Sequence, residues 1–149
     1  MKSKRNILIA LVVLLIVLFV VVPAVRIQNM QGYYNNCGAS AEIKPTSITE
    51  YCADAGVGVS NIKWSSWTHG GATGTGNFYI NSCDPNCASG KVYTTANAVV
   101  TLSAPKFTHE KKYFMDVTVT PHTGSKLAWP PKQGAVPASV KWVTDTWRN

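Results

Sequence analysis

Four cysteines, Cys37, Cys52, Cys83 and Cys87, are the residues of this 149-residue chain whose type and number suggest chemistry most directly. An even count reads as two disulfides wherever the compartment is oxidising. Sequence leaves the connectivity open among three schemes. The simplest joins Cys37 to Cys52 and Cys83 to Cys87, the second bond closing the turn Cys-Asp-Pro-Asn-Cys. In the alternative, Cys52 reaches across the fold to Cys83 or Cys87. Zinc is the rival chemistry, with Cys52, Cys83, Cys87 and a histidine as four ligands. Against it, three residues separate Cys83 from Cys87 and no second pair follows at finger-like spacing. No metal and no cofactor is expected.

The remaining reactive groups form no recognised set. His69, His109 and His122 fall in expected turns or at strand edges. No His-Glu-x-x-His motif, Gly-x-Ser-x-Gly elbow or cysteine-nucleophile signature is present. Asp54, Asp84 and Asp116 are dispersed, so neither a glycosidase pair nor an acidic calcium loop is encoded locally. Residues 70–76, Gly-Gly-Ala-Thr-Gly-Thr-Gly, lack the Gly-Lys-Ser/Thr ending of a phosphate loop and precede no helix, which leaves a hairpin turn entering a glycine-containing strand. No catalytic residue is assigned.

Five tryptophans remain. Trp64 and Trp67 are three apart, and Trp142 and Trp147 five apart. On a regular strand, odd spacing places the members of each pair on opposite faces, one in the core and one outside, unless a bulge intervenes. Trp67, Trp129 and Trp147 are therefore the candidate binding residues, an aromatic surface for a glycan, a lipid headgroup or a protein. The competing expectation is that they pack on neighbouring loops.

The elements that must position these residues begin with an apolar run. Residues 7–25 contain no charge and no polar side chain, and a helix of that length spans about 28 Å, close to the hydrocarbon thickness of a bilayer. Lys2, Lys4 and Arg5 precede it and Arg26 alone follows closely, which sets the N-terminus in the cytoplasm and residues 26–149 outside. The length favours a permanent anchor; Val22-Pro23-Ala24 also permits cleavage of a signal segment and secretion. No lipobox precedes Cys37. Pro23 falls near the end of the run, where a helix can stop. The expected organisation is thus an anchor or signal segment at 1–25, a polar tether at 26–43 with Tyr33 and Tyr34 near the membrane interface, and an exported β-rich domain at 44–149.

Within that domain the strand signals are short and separated by turns. Strands are expected at 60–68, 73–82 with Phe78 and Ile80 inward, 91–95, 98–103 ended by Pro105, 112–120, and 138–147 with Val140 and Trp142 inward. Residues 83–90 form a turn cluster and 121–137 a long loop. The fold class is all-β, a small antiparallel sandwich or barrel of six to seven strands behind a single N-terminal transmembrane helix.

The segments Tyr51-Cys52-Ala53-Asp54-Ala55-Gly56, Trp64-Ser65-Ser66-Trp67, Gly74-Thr75-Gly76 and Cys83-Asp84-Pro85-Asn86-Cys87-Ala88-Ser89-Gly90 together resemble a family of small exported actinobacterial proteins. The resemblance covers about 60 residues between Pro45 and Pro105. It implies an exported domain and structural roles for Cys52, Cys83, Cys87, Trp64 and Trp67. It implies no activity. Cys37 and the C-terminal strand lie outside the matched stretch.

Charge narrows the partners. Three of the fourteen basic residues precede the apolar run, and the other eleven face seven acidic ones. They are scattered, with Lys111-Lys112 the only adjacent pair, so nucleic-acid binding is not expected. The expected function is a membrane-anchored extracytoplasmic binding or structural module of the cell envelope, with an envelope glycan or a membrane protein as partner. The alternatives are a small cell-wall-acting hydrolase, and an accessory subunit of a membrane complex or a phage-encoded envelope protein. A close-packed helical partner is disfavoured, because Ala10 and Ala24 are the only small residues in the apolar run.

Overall fold

A run of Val, Ile and Leu with no polar side chain cannot offer its backbone an alternative to intrahelical hydrogen bonds once water is excluded. Residues 2–29 accordingly form one helical rod. The computed structural model describes residues 2–37, 40–108 and 110–144. Helix α1 (Lys2–Ile16) passes through a widened π turn (Val17–Val21) into α2 (Val22–Asn29). The widening has a cause in Pro23. Proline lacks an N–H, and its ring would collide with the carbonyl four residues earlier. The Val22 N–H instead reaches the Val17 carbonyl, five residues back, which opens the helix just ahead of the proline. A helix can stop at Pro23, but this one continues through the π turn to Asn29. From Lys4 to Arg26 this helix is long and apolar enough to cross a membrane.

The second unit begins at Gly32. Among the described residues, eight strands form one sheet: β1 (Gly32–Asn35), β2 (Ala41–Glu42), β3 (Ile48–Thr49), β4 (Val57–Trp67), β5 (Ala72–Asn81), β6 (Val92–Thr108), β7 (Lys111–Thr120) and β8 (Val140–Val143). Their order is β2-β1-β7-β6-β5-β4-β3, and β8 shares the edge of β7 with β1. The pairing of β1 with β7 is parallel and the other ladders are antiparallel. The all-β class stands, as a curled mixed sheet rather than a purely antiparallel one. The segment expected as a tether is partly structural: β1 and β2 belong to the sheet, which thus starts well before residue 44.

β5 follows the two-residue period expected of a half-buried strand, with Ala72, Phe78 and Ile80 inward. Ala98, Val100 and Leu102 face the same core from β6, and Val140 and Trp142 face it from β8. Fully burying a side chain of the Val, Leu or Phe kind stabilises the fold by about 1.5–3 kcal/mol. The two strands expected at 91–95 and 98–103 are one, β6. The bulge between its pairs with Gly76 and Phe78, where Asn97 adopts φ 55°, explains the broken periodicity. Nor does Pro105 end β6. The pairing of β6 with β5 stops at Ala72 and Leu102, so beyond that point the outer side of β6 has no ladder for a proline to interrupt.

β4 carries two bulges, between Ser60 and Lys63 and between Trp64 and Ser66. Each adds a residue against β5 and sharpens the curl. Gly74 sits opposite Trp64, and a Cβ there would meet the Lys63 carbonyl oxygen at 2.8 Å. Replacing Gly74 by Ala should therefore destabilise the domain by about 1–3 kcal/mol, despite the better strand propensity of Ala. Urea unfolding of the solubilised protein, followed by tryptophan fluorescence, measures this; an unchanged midpoint would show that the bulged strand has room to give.

Candidate functional site

The Trp-Ser-Ser-Trp segment ends β4, and the bulge at Ser65 decides what it does. A regular strand would set Trp64 and Trp67 on opposite faces. The extra residue brings both to one side, where their rings meet edge to face with centroids 4.8 Å apart. Trp67 then packs edge-on against Phe114 at 5.5 Å. Its indole N–H donates to the Gly32 carbonyl at 2.9 Å, and that of Trp64 to the Pro45 carbonyl at 2.8 Å. Both rings are half-buried. Trp67, expected as an exposed binding residue, is instead a packing residue with its polar atom already engaged.

These contacts belong to a seam where the two ends of the sheet approach. The Tyr34 hydroxyl on β1 donates to the Thr49 carbonyl on β3 at 3.3 Å, and the Asn36 amide to the Ser47 carbonyl at 3.4 Å. Cys37 is bonded to Cys52 just beyond them. Gly32 lies under the Phe114 ring, where any Cβ would collide. Tyr34 is buried, which pushes its phenol up to about 12, and the nearby Glu42 carboxylate and Tyr79 reinforce this. The Trp142 indole N–H acts in the opposite direction on Tyr34, although it completes no full hydrogen bond.

The second disulfide, Cys83–Cys87, closes the loop between β5 and β6. The simplest pairing scheme is the one present, and the described residues include no free cysteine. Asn81 organises the loop: its Oδ1 accepts from the Cys83 N–H at 2.9 Å and its Nδ2 donates to the Cys87 carbonyl at 2.8 Å. Asp54 joins Cys83 and Cys87 in a group whose potential ligand atoms lie within 4.8 Å of one another. With both sulfurs bonded to each other, that group supplies one carboxylate and no thiolate, so it is a poor metal site in the oxidised protein. The zinc set considered from sequence is not assembled, since Cys52 is bonded to Cys37.

The loop after β7 docks on this turn. Lys132 forms an ion pair with Asp84, which raises the Lys132 ammonium through the hydrogen bond first and the charge second. Trp129 is half-buried against the core and donates its indole N–H to the Gln133 carbonyl at 3.3 Å. Its ring is thus held by its own loop. Trp147 and His109 lie outside the described residues. His69 and His122 are exposed, and among the described residues neither pairs with a carboxylate. Of the candidate binding residues, Trp67 and Trp129 are therefore half-buried with their indole N–H groups engaged. Sequence reasoning missed Gly32, Tyr34 and Phe114, the partners that complete the seam. Gly74 opposite Trp64 was a readable sign of a bulge.

The class defined by these features is a small, doubly cross-linked β-protein accompanied by one apolar helix. No protein-family model, no curated protein and no solved structure matches the chain.

Two measurements check the seam. Trp67→Ala should cost about 3–5 kcal/mol, and Trp67→Phe, which keeps a ring but removes the donor, about 1–2 kcal/mol, in chemical denaturation. Equal small losses would mark Trp67 as peripheral. Tyr34 supplies a pH test. An unfolded tyrosine titrates near pH 10, and the buried one holds its proton up to about 12. Its contribution is fully present below pH 10 and is lost as pH rises from 10 to 12, by roughly 3 kcal/mol in all. Tyr79, raised by burial, acts in the same direction. Tyr34→Phe should flatten the alkaline fall in unfolding free energy; an unchanged slope would exclude Tyr34 as its source.

Proposed function

We propose that the protein is a single-pass membrane protein whose helix holds a disulfide-cross-linked β domain on the extracytoplasmic side, as a non-catalytic binding or structural module of the cell envelope. The observation that carries this reading is the helix itself. From Ile7 to Val25 its large apolar side chains are exposed on every side. A helix that is apolar all round requires either a protein core or a bilayer around it. The basic residues Lys2, Lys4 and Arg5 favour a cytoplasmic N-terminus. The two disulfides support an oxidising compartment for the domain. The likeness of the segment 45–105 to exported actinobacterial proteins supports the same side.

Support for a non-catalytic role comes from how the reactive groups are used. The cysteines are cross-links, Asp84 is paired with Lys132, and the described histidines stand apart from carboxylates. Two indole donors fasten the sheet seam and a third fastens a loop.

The test uses cells expressing the full chain with a C-terminal tag. Alkaline carbonate should leave the protein in the membrane fraction, and proteinase K added to intact spheroplasts should remove the tag. Maleimide should label the cysteines only after reduction. A tag protected in intact spheroplasts, together with four thiols that react without reductant, would overturn the topology. Tagged protein in the medium with a new N-terminus near Ala24 would replace the anchor by a cleaved signal.

A further inference from the structure

The end of the sheet nearest in sequence to the helix carries a feature that the seam and the disulfides leave unused. Along β7, Lys111 and Tyr113 lie on one face. Their partners across β6 are Thr108 and Lys106, and Tyr113 is paired with Tyr33 on the other side. Lys106, Lys111, Tyr33 and Tyr113 therefore share one face of a three-stranded patch. The tyrosine rings lie 6.2 Å apart, and the Lys111 ammonium stands 5.3 Å from the Tyr33 ring centroid. Lys106 and Lys111 are exposed and the two tyrosines are half-buried. On the opposite face of the same hairpin, Phe107 is exposed across from Lys112. Glu110, in the turn, is the acidic residue at this tip among the described residues.

Only Met30 and Gln31 separate Asn29, the last helical residue, from β1. Whatever the arrangement of the two units, the contour of four residues keeps Tyr33 within about 14 Å of Asn29. Asn29 itself lies three residues past Arg26, about 4–5 Å along the helix from the end of the apolar span. The headgroup layer on each side of a bilayer is roughly 5–8 Å thick. A spanning helix thus leaves this patch on a linker short enough to reach the headgroups. Tyrosine suits headgroup depth, with an apolar ring and a polar tip, and lysine ammoniums pair with lipid phosphates.

We propose that the face formed by Tyr33, Tyr113, Lys106 and Lys111 is a docking surface for anionic phospholipid headgroups of the membrane in which the chain is anchored. The inference rests on the anchor reading above and adds an orientation: the β domain lies down on the membrane by this face. Among the described residues it is the one basic and aromatic patch so close in sequence to the span, and the cation–π contact preorganises Lys111 above it.

The experiment uses the full chain with 3-fluorotyrosine, reconstituted in vesicles of phosphatidylcholine or of phosphatidylcholine with roughly one third phosphatidylglycerol. A trace lipid carries a gadolinium chelate on its headgroup. Of the six tyrosine fluorine signals, those of Tyr33 and Tyr113, assigned by Tyr33→Phe and Tyr113→Phe, should be attenuated most, and more strongly with phosphatidylglycerol. The double variant K106Q/K111Q should lower the docked-to-undocked ratio by roughly 30-fold and abolish the dependence on phosphatidylglycerol. K106R/K111R should keep it, which separates charge from folding. Attenuation of Tyr113 no stronger than that of the other tyrosines, or insensitive to lipid charge, in protein that still floats with vesicles after an alkaline wash, overturns the docking face and leaves the anchor standing. Protein that washes off overturns the anchor and the docking face together.

Discussion

The closure of a sheet whose short end strands share no ladder with each other among the described residues is the constraint around which this domain is arranged. β3 and β2 are two residues long, and β1 is four. A barrel normally closes by continuing its backbone ladder around the circumference. Here side chains take over. The Tyr34 hydroxyl, the Asn36 amide and the Trp67 indole each reach a backbone carbonyl across the gap, and the Cys37–Cys52 bond fixes it covalently. A side-chain hydrogen bond contributes on the order of 1 kcal/mol net, and closing a loop of 15 residues by a disulfide about 3 kcal/mol in the chain-entropy account. The covalent link is thus comparable to the three hydrogen bonds together, and the seam depends on both.

The bulges of β4 follow from the same need. A flat sheet would hold β1 and β3 apart. Two added residues in one strand bend it toward closure and, at Ser65, swing Trp67 to the side where Gly32 and Phe114 wait. Gly32 must be glycine because the Phe114 ring occupies the place of a side chain. Sequence-distant residues are thereby locked by volume: Trp67 fills one wall, Phe114 the floor, and the strand that starts with Gly32 slides over both. This also explains why Trp64 and Trp67 spend their N–H groups on backbone carbonyls. At a seam lacking ladder partners, an indole is a rigid donor with few rotamers to lose.

Local pattern revealed the elements whose neighbours are regular, and failed where a neighbour was missing. The alternation from Ala72 to Ile80 marked β5 because β4 and β6 flank it on both sides. Pro105 suggests a strand end and Pro23 a place where a helix can stop for one reason: proline removes a hydrogen bond donor. Whether that matters depends on whether a partner stood there. Beyond Leu102 none did on the outer side of β6, and in the helix a π turn absorbed the defect. The polar residues 31–36 resembled a tether because their polarity serves the seam, through Asn36, and only Tyr34 of that stretch enters the core. In β7, buried Phe114 and buried Val117 are an odd step apart, so the strand turns its inward side over near Ala104, which takes φ 51° on the paired strand. No period-two reading captures that reversal. The disulfide pairing was legible as the simplest of three schemes, whereas the move of Trp67 to the side of Trp64 was hidden in a bulge.

The seam also ties the fold to where it is made. A closure that depends in good part on one disulfide is weaker in a reducing compartment, where Cys37 and Cys52 would remain thiols. The apolar helix that precedes Gly32 in the chain is, on the proposed topology, the part that carries the domain to an oxidising side. On that topology, export and stability are one requirement. The domain's accessible surface includes a basic and aromatic end, around Lys111 and Tyr33, and a polar loop bearing the Cys83–Cys87 bond. A search for function directed by tryptophan count would look at the seam; the physical arrangement directs it to those two ends.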